Sequence, residues 1–263
     1  MKRLLTGLVI TPFFFYAVVF APDWFFLGVL ATVGCLCFYE YQGIVAAHFP
    51  ESGSDPRHSP IGYLAGLLLL VLPSGESLYL TLFALLAWIL AMRVRTLPRV
   101  LPIAAMTVFG VLYVFGAWRC GVFLHARSPW WMLFAVAINW VGDTFAFYFG
   151  KNFGRHKLAP SISPGKSWEG TVASTVSAMA LGALFLHWKF PEIGLGPGLL
   201  LCTAANVAGQ VGDLCESAIK RGAGVKDSGN LLPGHGGWLD RVDSSLFSVP
   251  VVYWLLQQRW ILP

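Results

Sequence analysis

Long apolar runs, broken by short polar stretches, dominate the pattern of this chain. Nine runs stand out, at 4–22, 24–46, 61–73, 77–92, 103–124, 130–150, 170–189, 197–219 and 244–261. A helix needs about 20 mostly apolar residues to cross a bilayer. In lipid every backbone polar group must be satisfied within its own element, so spans of this kind are helices. A transmembrane β-barrel would alternate apolar and polar residues in segments of about 10, and these runs do not alternate. The pattern predicts an all-α, polytopic integral membrane protein with about nine transmembrane helices, forming a single membrane domain over 1–263. The third and fourth runs are short and bounded by Pro60, Pro73 and the turn at 73–77, so they are expected to tilt, pair or re-enter. The stretch 47–60, rich in Pro, Ser and Gly, reads as a flexible loop.

Composition agrees with the pattern. Hydrophobic residues make up 56% of the chain and charged residues 12%, whereas soluble domains carry about 25% charged residues. Mean hydropathy is +0.66. The net charge of +5 is read as the bias of Lys and Arg toward cytoplasmic loops rather than as a nucleic-acid surface. With nine spans and the N-terminus inside, all of the 18 basic residues except Arg119, Arg127, Lys189 and Arg259 fall on the cytoplasmic side. That orientation also puts the two polar loops, 151–169 and 220–243, in the cytoplasm. Cys35, Cys37, Cys120, Cys202 and Cys215 lie in or near apolar runs, with neither zinc spacing nor a disulfide pattern. Lys2 and Arg3 before an apolar stretch could open a signal peptide, but no small-residue cleavage site follows, and a retained first span is expected.

The carboxylates are unevenly placed. Asp143, Glu169, Asp213, Glu216, Asp227, Asp240 and Asp243 all lie in the second half. Residues 1–128 therefore read as helical scaffold and 129–263 as the catalytic part. Asp213 falls inside the eighth run, where an ionisable group is costly and marks a functional site by default. Asn206, Gln210, Asp213, Ser217 and Lys220 follow one another by three or four residues, which stacks them on one helix face. Such a stripe lines a functional cavity or glues helices together by hydrogen bonds. Asn139 and Asp143 repeat the spacing in the sixth run, while Glu40 and Gln42 read as the interfacial end of the second. Asp240 and Asp243, three apart at the start of the last run, are expected to point the same way on a helix, as paired ligands for a hard cation. A plainer role is to complement the dipole of that helix.

Two glycine-bearing stretches complete the polar half. Residues 233–238, Pro-Gly-His-Gly-Gly-Trp, allow φ > 0 and close approach to an anion. Residues 161–170 lack phosphate-loop spacing, yet Gly165-Lys166-Ser167 before an apolar run suits phosphate at a helix N-terminus. Ser163 or Ser167 is also a natural helix cap.

Together these residues resemble the phosphatidate cytidylyltransferase (CDP-diacylglycerol synthase) family. The resemblance rests on Ser217-Ala218-Ile219-Lys220-Arg221, Lys226-Asp227, Pro233-Gly234-His235-Gly236-Gly237 and Asp240-Arg241-Val242-Asp243. Upstream it extends to Asp143, Phe147-Tyr148, Gly150, Gly154 and Ser163-Pro164, Lys166-Ser167, Glu169-Gly170. Trp238, Gly165 and Ser167 depart from the usual residues of the family at those positions. The first 100 residues carry no motif.

The resemblance implies a nucleotidyltransferase of phospholipid biosynthesis, transferring a cytidylyl group from CTP to phosphatidic acid with release of pyrophosphate. It implies Mg²⁺ on Asp213, Asp240 and Asp243, with carboxylates enough for a second cation. Lys220, Arg221, Lys226 and Arg241 would hold phosphates, with Asp227 and His235 beside them as catalytic residues. Asp143, Ser163, Lys166, Ser167, Glu169 and Ser217 would bind substrate. The expected location is the bacterial inner membrane, with the site facing the cytoplasm. Small residues in the seventh and eighth runs permit a homodimer. A CDP-alcohol phosphotransferase would carry an Asp-Gly-led helix motif, which is absent. A lipid kinase is a related CTP-dependent alternative. An ion-coupled transporter would also bury Asp and Asn, but its halves would match, and this chain is lopsided.

Overall fold

The computed structural model describes residues 2–49, 60–72, 76–92, 97–232, 234 and 236–258. Eleven α-helices and one small hairpin make up these residues. Their order is α1 (Lys2–Val19), α2 (Asp23–His48), α3 (Pro60–Val71), α4 (Glu76–Ala91), α5 (Val100–Val111), α6 (Ala117–Arg127), α7 (Pro129–Phe153), β1 (Lys157–Ala159), β2 (Ser163–Ser167), α8 (Trp168–Lys189), α9 (Leu195–Gly222), α10 (Leu239–Val242) and α11 (Ser245–Leu256). A π-helical turn, Leu112–Gly116, joins α5 to α6 without a break.

Among the described residues, five helices are long and apolar enough to cross a membrane: Asp23–His48, Leu97–Arg127, Pro129–Phe153, Trp168–Lys189 and Leu195–Gly222. The chain is a helical membrane protein. The expected nine spans are met in part, because α3 and α11 have 12 residues and α4 has 16. The flexible stretch read at 47–60 falls mostly outside the described residues, as does the turn around residue 74.

Local chemistry explains the starts of the helices that carry the polar half. Ser128 is extended, its Oγ accepts from the Trp130 amide at 3.4 Å, and Pro129 opens α7, as a capping serine and a first-turn proline should. Ser167 caps α8 by accepting from the Gly170 amide at 3.2 Å, with Glu169 in the first turn facing the positive helix end. The stretch before α8 is not a plain loop. β1 and β2 pair antiparallel, with Lys157 opposite Ser167 and Ala159 opposite Ser163. So short a ribbon shows no alternation in sequence, which is why the pattern missed it.

The expectation for Asp240 and Asp243 is corrected. They do not share one helix: α10 ends at Val242 and α11 starts at Ser245, leaving Asp243 in the turn between them. Asp243 Oδ1 accepts from the Ser244 amide at 2.7 Å. An aspartate that engages its neighbouring backbone in this way competes with helix continuation.

The chain divides into two compact units. The first comprises Met1–Thr11, Pro22–Val122 and Ile219–Arg241. Its core is aromatic. Phe38 meets Tyr63, Phe115 and Tyr41 at ring-centroid distances of 5.0, 5.7 and 6.3 Å. Gly62 leaves room for Phe38, since a Cβ there would stand 2.6 Å from its ring. Buried Arg119 donates to the carbonyls of Leu69 and Leu72, satisfying acceptors that the end of α3 leaves open.

The second unit comprises Pro12–Ala21, Phe123–Ala218 and Val242–Pro263. α7 packs along α8, and Trp131 stacks on Phe190 at 3.8 Å. Buried polar groups tie the helices together. Asn139 donates to Ser248 Oγ at 2.7 Å, linking α7 to α11. Asn206 donates to Ser174 Oγ at 3.1 Å and accepts from Thr175 Oγ1 at 3.3 Å, linking α9 to α8. Gln210 donates to Asn206 Oδ1 at 2.7 Å and to Thr175 Oγ1 at 3.2 Å. The upper part of the polar stripe on α9 is therefore helix glue. The stripe changes character one turn later, at Asp213.

Candidate active site

In the second unit, Lys166 at the end of β2 reaches Asp213 on α9, with 2.8 Å between Nζ and Oδ2. Ser217, one turn on, donates to Asp213 Oδ1 at 3.4 Å. The hairpin thus delivers a cation to the carboxylate that the stripe puts inside the eighth run. Asp243 belongs to the same group of charges. Burial, and then the carboxylates of Asp213 and Glu216, push its carboxyl well above the usual carboxylate range. Acidic groups that raise one another in this way favour a divalent cation, which relieves the repulsion. Among the described residues no three His, Cys, Asp or Glu side chains form a metal cage on their own. A Mg²⁺ ion suits such a place, because it takes one or two carboxylates and completes its shell with phosphate oxygens and water.

Glu169 accepts from the His156 ring nitrogen Nδ1 at 2.7 Å and from the His156 amide at 3.2 Å, fixing the chain just before β1. Between α7 and α8 runs an apolar groove of about 780 Å³, lined by Phe145, Phe149, Trp168, Val172, Val176 and Leu181, with His156 and Glu169 at its polar end. Ser167 is buried and engaged as the cap of α8, and half-buried Ser163 starts β2. Asp143 stands exposed on α7.

The first unit holds the other part of the polar half. Lys220 and Asp240 form an ion pair at 2.5 Å, and both side chains are largely buried. The amides of Ser228 and Gly237 donate to Asp240 Oδ2 at 3.1 and 2.8 Å. Burial by itself would raise the Asp240 carboxyl, but the bond from Lys220, with those from Gly237 and Ser228, outweighs it and holds the group below the usual carboxylate range. Gly234 and Gly236 take φ of 78° and 77°, values suited to glycine, and the Leu232 amide closes the turn on the Gly236 carbonyl at 3.0 Å. Arg221, Lys226, Asp227 and Arg241 are exposed, and Arg221 donates to the Val225 carbonyl at 3.1 Å. His235 lies outside the described residues.

Glu40, read from sequence as the interfacial end of the second run, is 2% exposed and fully engaged within this unit. Its Oε2 accepts from Leu239 N at 2.8 Å and from Ser228 Oγ at 2.9 Å, and its Oε1 accepts from Trp238 N at 3.0 Å. Two amides of the glycine-rich stretch, expected to cradle an anion, thus face the protein's own carboxylates: Gly237 N donates to Asp240 and Trp238 N to Glu40. A carboxylate inside an apolar run was the available signal, but its partners lie far along the chain and no local pattern names them.

The sequence brings known proteins with it. The chain is 44% identical to the phosphatidate cytidylyltransferase of Haemophilus influenzae over 124 residues, which cover 45% of this chain and 43% of that protein. It is 31% identical to the uncharacterised protein YnbB of Escherichia coli over 247 residues, 92% of this chain and 83% of that one. It is 34% identical to the chloroplastic phosphatidate cytidylyltransferase 4 of Arabidopsis thaliana over 275 positions, 90% of this chain and 68% of that one. The match thus spans less than half of the Haemophilus relative, and more of the other two. The pattern of the Cytidylyltransferase family matches residues 1–258, nearly end to end, and the chain belongs to that family.

Proposed function

We propose that this protein is a phosphatidate cytidylyltransferase: CTP plus phosphatidic acid gives CDP-diacylglycerol plus pyrophosphate. The observation that carries the reading is the family match over residues 1–258, joined to the meeting of Lys166 with Asp213 in a membrane protein. Relatives named for this activity support it.

A phosphate oxygen of phosphatidate attacks the α-phosphorus of CTP in line. The new P–O bond forms as the bond to the β-phosphate oxygen breaks, and pyrophosphate leaves with that electron pair. A phosphate nucleophile is already ionised at neutral pH, so no strong general base is needed. Such transfers depend on positioning and charge stabilisation. In the second unit Lys166 would hold phosphate; in the first, the exposed Arg221, Lys226 and Arg241 would. Asp213 and Asp243 would hold Mg²⁺, whose chemistry is to neutralise charge on the phosphates. Asp240 was grouped with them from sequence, but it already takes Lys220 and two backbone amides, so its part is to place Lys220. Asp143, Ser163, Glu169 and Ser217 line the approach of substrate, Ser167 holds α8 in place, and Asp227 and His235 belong to the phosphate-binding stretch. The groove between α7 and α8 suits an acyl chain of the lipid. The charge bias supports nine spans with the N-terminus inside, which would put the polar half in the cytoplasm, where CTP is found. In bacteria this is the inner membrane.

The test is purified protein in detergent with phosphatidate, Mg²⁺ and CTP labelled at the α-phosphate. Labelled CDP-lipid is expected. No labelled lipid product, with the label left in CTP or released as CDP, rejects the reading.

A further inference from the structure

We infer that Glu40, far from the polar half in sequence, is a positioning residue for the nucleotide. The inference rests on the reading of the loop after α9 as the holder of CTP phosphates. Glu40 projects from α2 into the first unit, where its two oxygens take three donors: Trp238 N, Leu239 N and Ser228 Oγ. Trp238 and Leu239 open α10, so Glu40 caps that helix from another element, satisfying amides that a helix start leaves bare. Space is fitted to this contact. A Cβ on Gly229 would stand 2.7 Å from Glu40 Oε1, and one on Gly237 would run into Glu40 Oε2 and Ser228 Oγ.

The anchor is connected to the charges. Ser228 Oγ, held by Glu40, accepts from the Asp240 amide at 3.3 Å, while the Ser228 amide donates to the Asp240 carboxylate. Asp240 in turn pairs with Lys220. Glu40 therefore holds both ends of the stretch 228–239, and between α9 and that stretch lies exposed Lys226; Arg241 follows on α10. A short four-residue helix has little stability of its own. Lys220 and the amides of Ser228 and Gly237 hold the Asp240 carboxylate, while Glu40 holds the backbone at the start of α10. Glu40 touches no substrate in this account; it acts through Ser228, Trp238 and Leu239.

Glu40→Gln is the informative change. It keeps size but offers one acceptor oxygen and one NH₂, so at least one of the three donors meets another donor. Losing a hydrogen bond to a charged group weakens the anchor by about tenfold or more in its equilibrium constant. Two measurements on the full-length protein in detergent read this. In limited trypsin digestion, the variant is expected to be cut after Lys226 about tenfold faster than wild type. In CDP-lipid synthesis, KM for CTP is expected to rise about tenfold while KM for phosphatidate stays within about twofold. A merely structural role would lower the active fraction and leave both KM values alone. Equal trypsin rates, or an unchanged KM for CTP, overturn the inference. If Glu40→Gln does not fold, Ser228→Ala removes one donor only, and the same two shifts are expected at about threefold; their absence overturns it equally. If wild type makes no CDP-lipid, the proposed activity fails, while the trypsin arm still tests the anchor.

Discussion

Replacing Lys220 by methionine should expose how the ion pair with Asp240 is held. The two groups stand 2.5 Å apart, with side chains 9% and 8% exposed. At an effective dielectric of about 20 their attraction is of the order of 7 kcal/mol, most of it offset by the desolvation of both charges. Removing one partner is different, because Asp240 keeps its desolvation and retains only the amides of Ser228 and Gly237. Loss of one member of a buried pair costs about 3–5 kcal/mol, which lowers the melting temperature by about 10 °C for a chain of this size. The sign with pH follows from Asp240. In wild type its carboxyl is held below the ordinary value, so the pair contributes fully above about pH 4 and fades as pH falls through the depressed value. In Lys220→Met burial prevails and the carboxyl rises above its ordinary value, so the penalty is largest at neutral pH and shrinks as the group takes up a proton. Thermal unfolding in detergent from pH 8 to 4 reads this. The gap between wild type and variant should narrow toward low pH, and adding Asp240→Asn should recover part of the loss. A gap that widens on acidification, or a double variant no better than the single, refutes the reasoning.

Other outcomes follow from the same geometry. Asp213→Asn and Asp243→Asn should each reduce CDP-lipid synthesis by about a thousandfold, as loss of a key electrostatic group does, with the unfolding temperature unchanged or raised, since each relieves crowding of carboxylates; near-normal turnover in either removes that residue from the proposed Mg²⁺ site. Asn206→Leu breaks the α8–α9 network and leaves Ser174, Thr175 and Gln210 to find new partners, which should cost about 1–3 kcal/mol of stability in an unfolding assay. Gly170→Val crowds the α7–α8 crossing, where a Cβ would already stand 2.9 Å from the Ala146 carbonyl, and should cost about 1–3 kcal/mol by overpacking.

The helical membrane character was legible in the sequence because long apolar runs leave the backbone few alternatives in lipid. The cap of α8 was equally local: of the two serines offered by the sequence, Ser167 fills it. The hairpin at 157–167 was not, since its strands are only three and five residues long and show no apolar alternation. Five of the expected crossing helices are long and apolar enough among the described residues, while α3, α4 and α11 have 12, 16 and 12 residues, α11 beginning only after the turn at Asp243. Asp213 was legible as a carboxylate that lipid would not tolerate without purpose, and its meeting with Lys166 gives it a partner. The stripe containing it was legible only as a stripe. Asn206 and Gln210 turn to α8, and no spacing within α9 says which of its polar residues serve packing. Glu40 was the largest omission. It was visible as an acid near the end of an apolar run, but its role is set by donors on a distant loop.

Phosphorus NMR of the reaction mixture follows the central claim atom by atom. Wild-type protein with phosphatidate, CTP and Mg²⁺ should move the α-phosphorus of CTP into a lipid-bound diphosphate while the β- and γ-phosphorus appear together as pyrophosphate, one for one. Inorganic phosphate in place of pyrophosphate, a γ-phosphate transferred to lipid with CDP left behind, or CTP left intact would contradict the account.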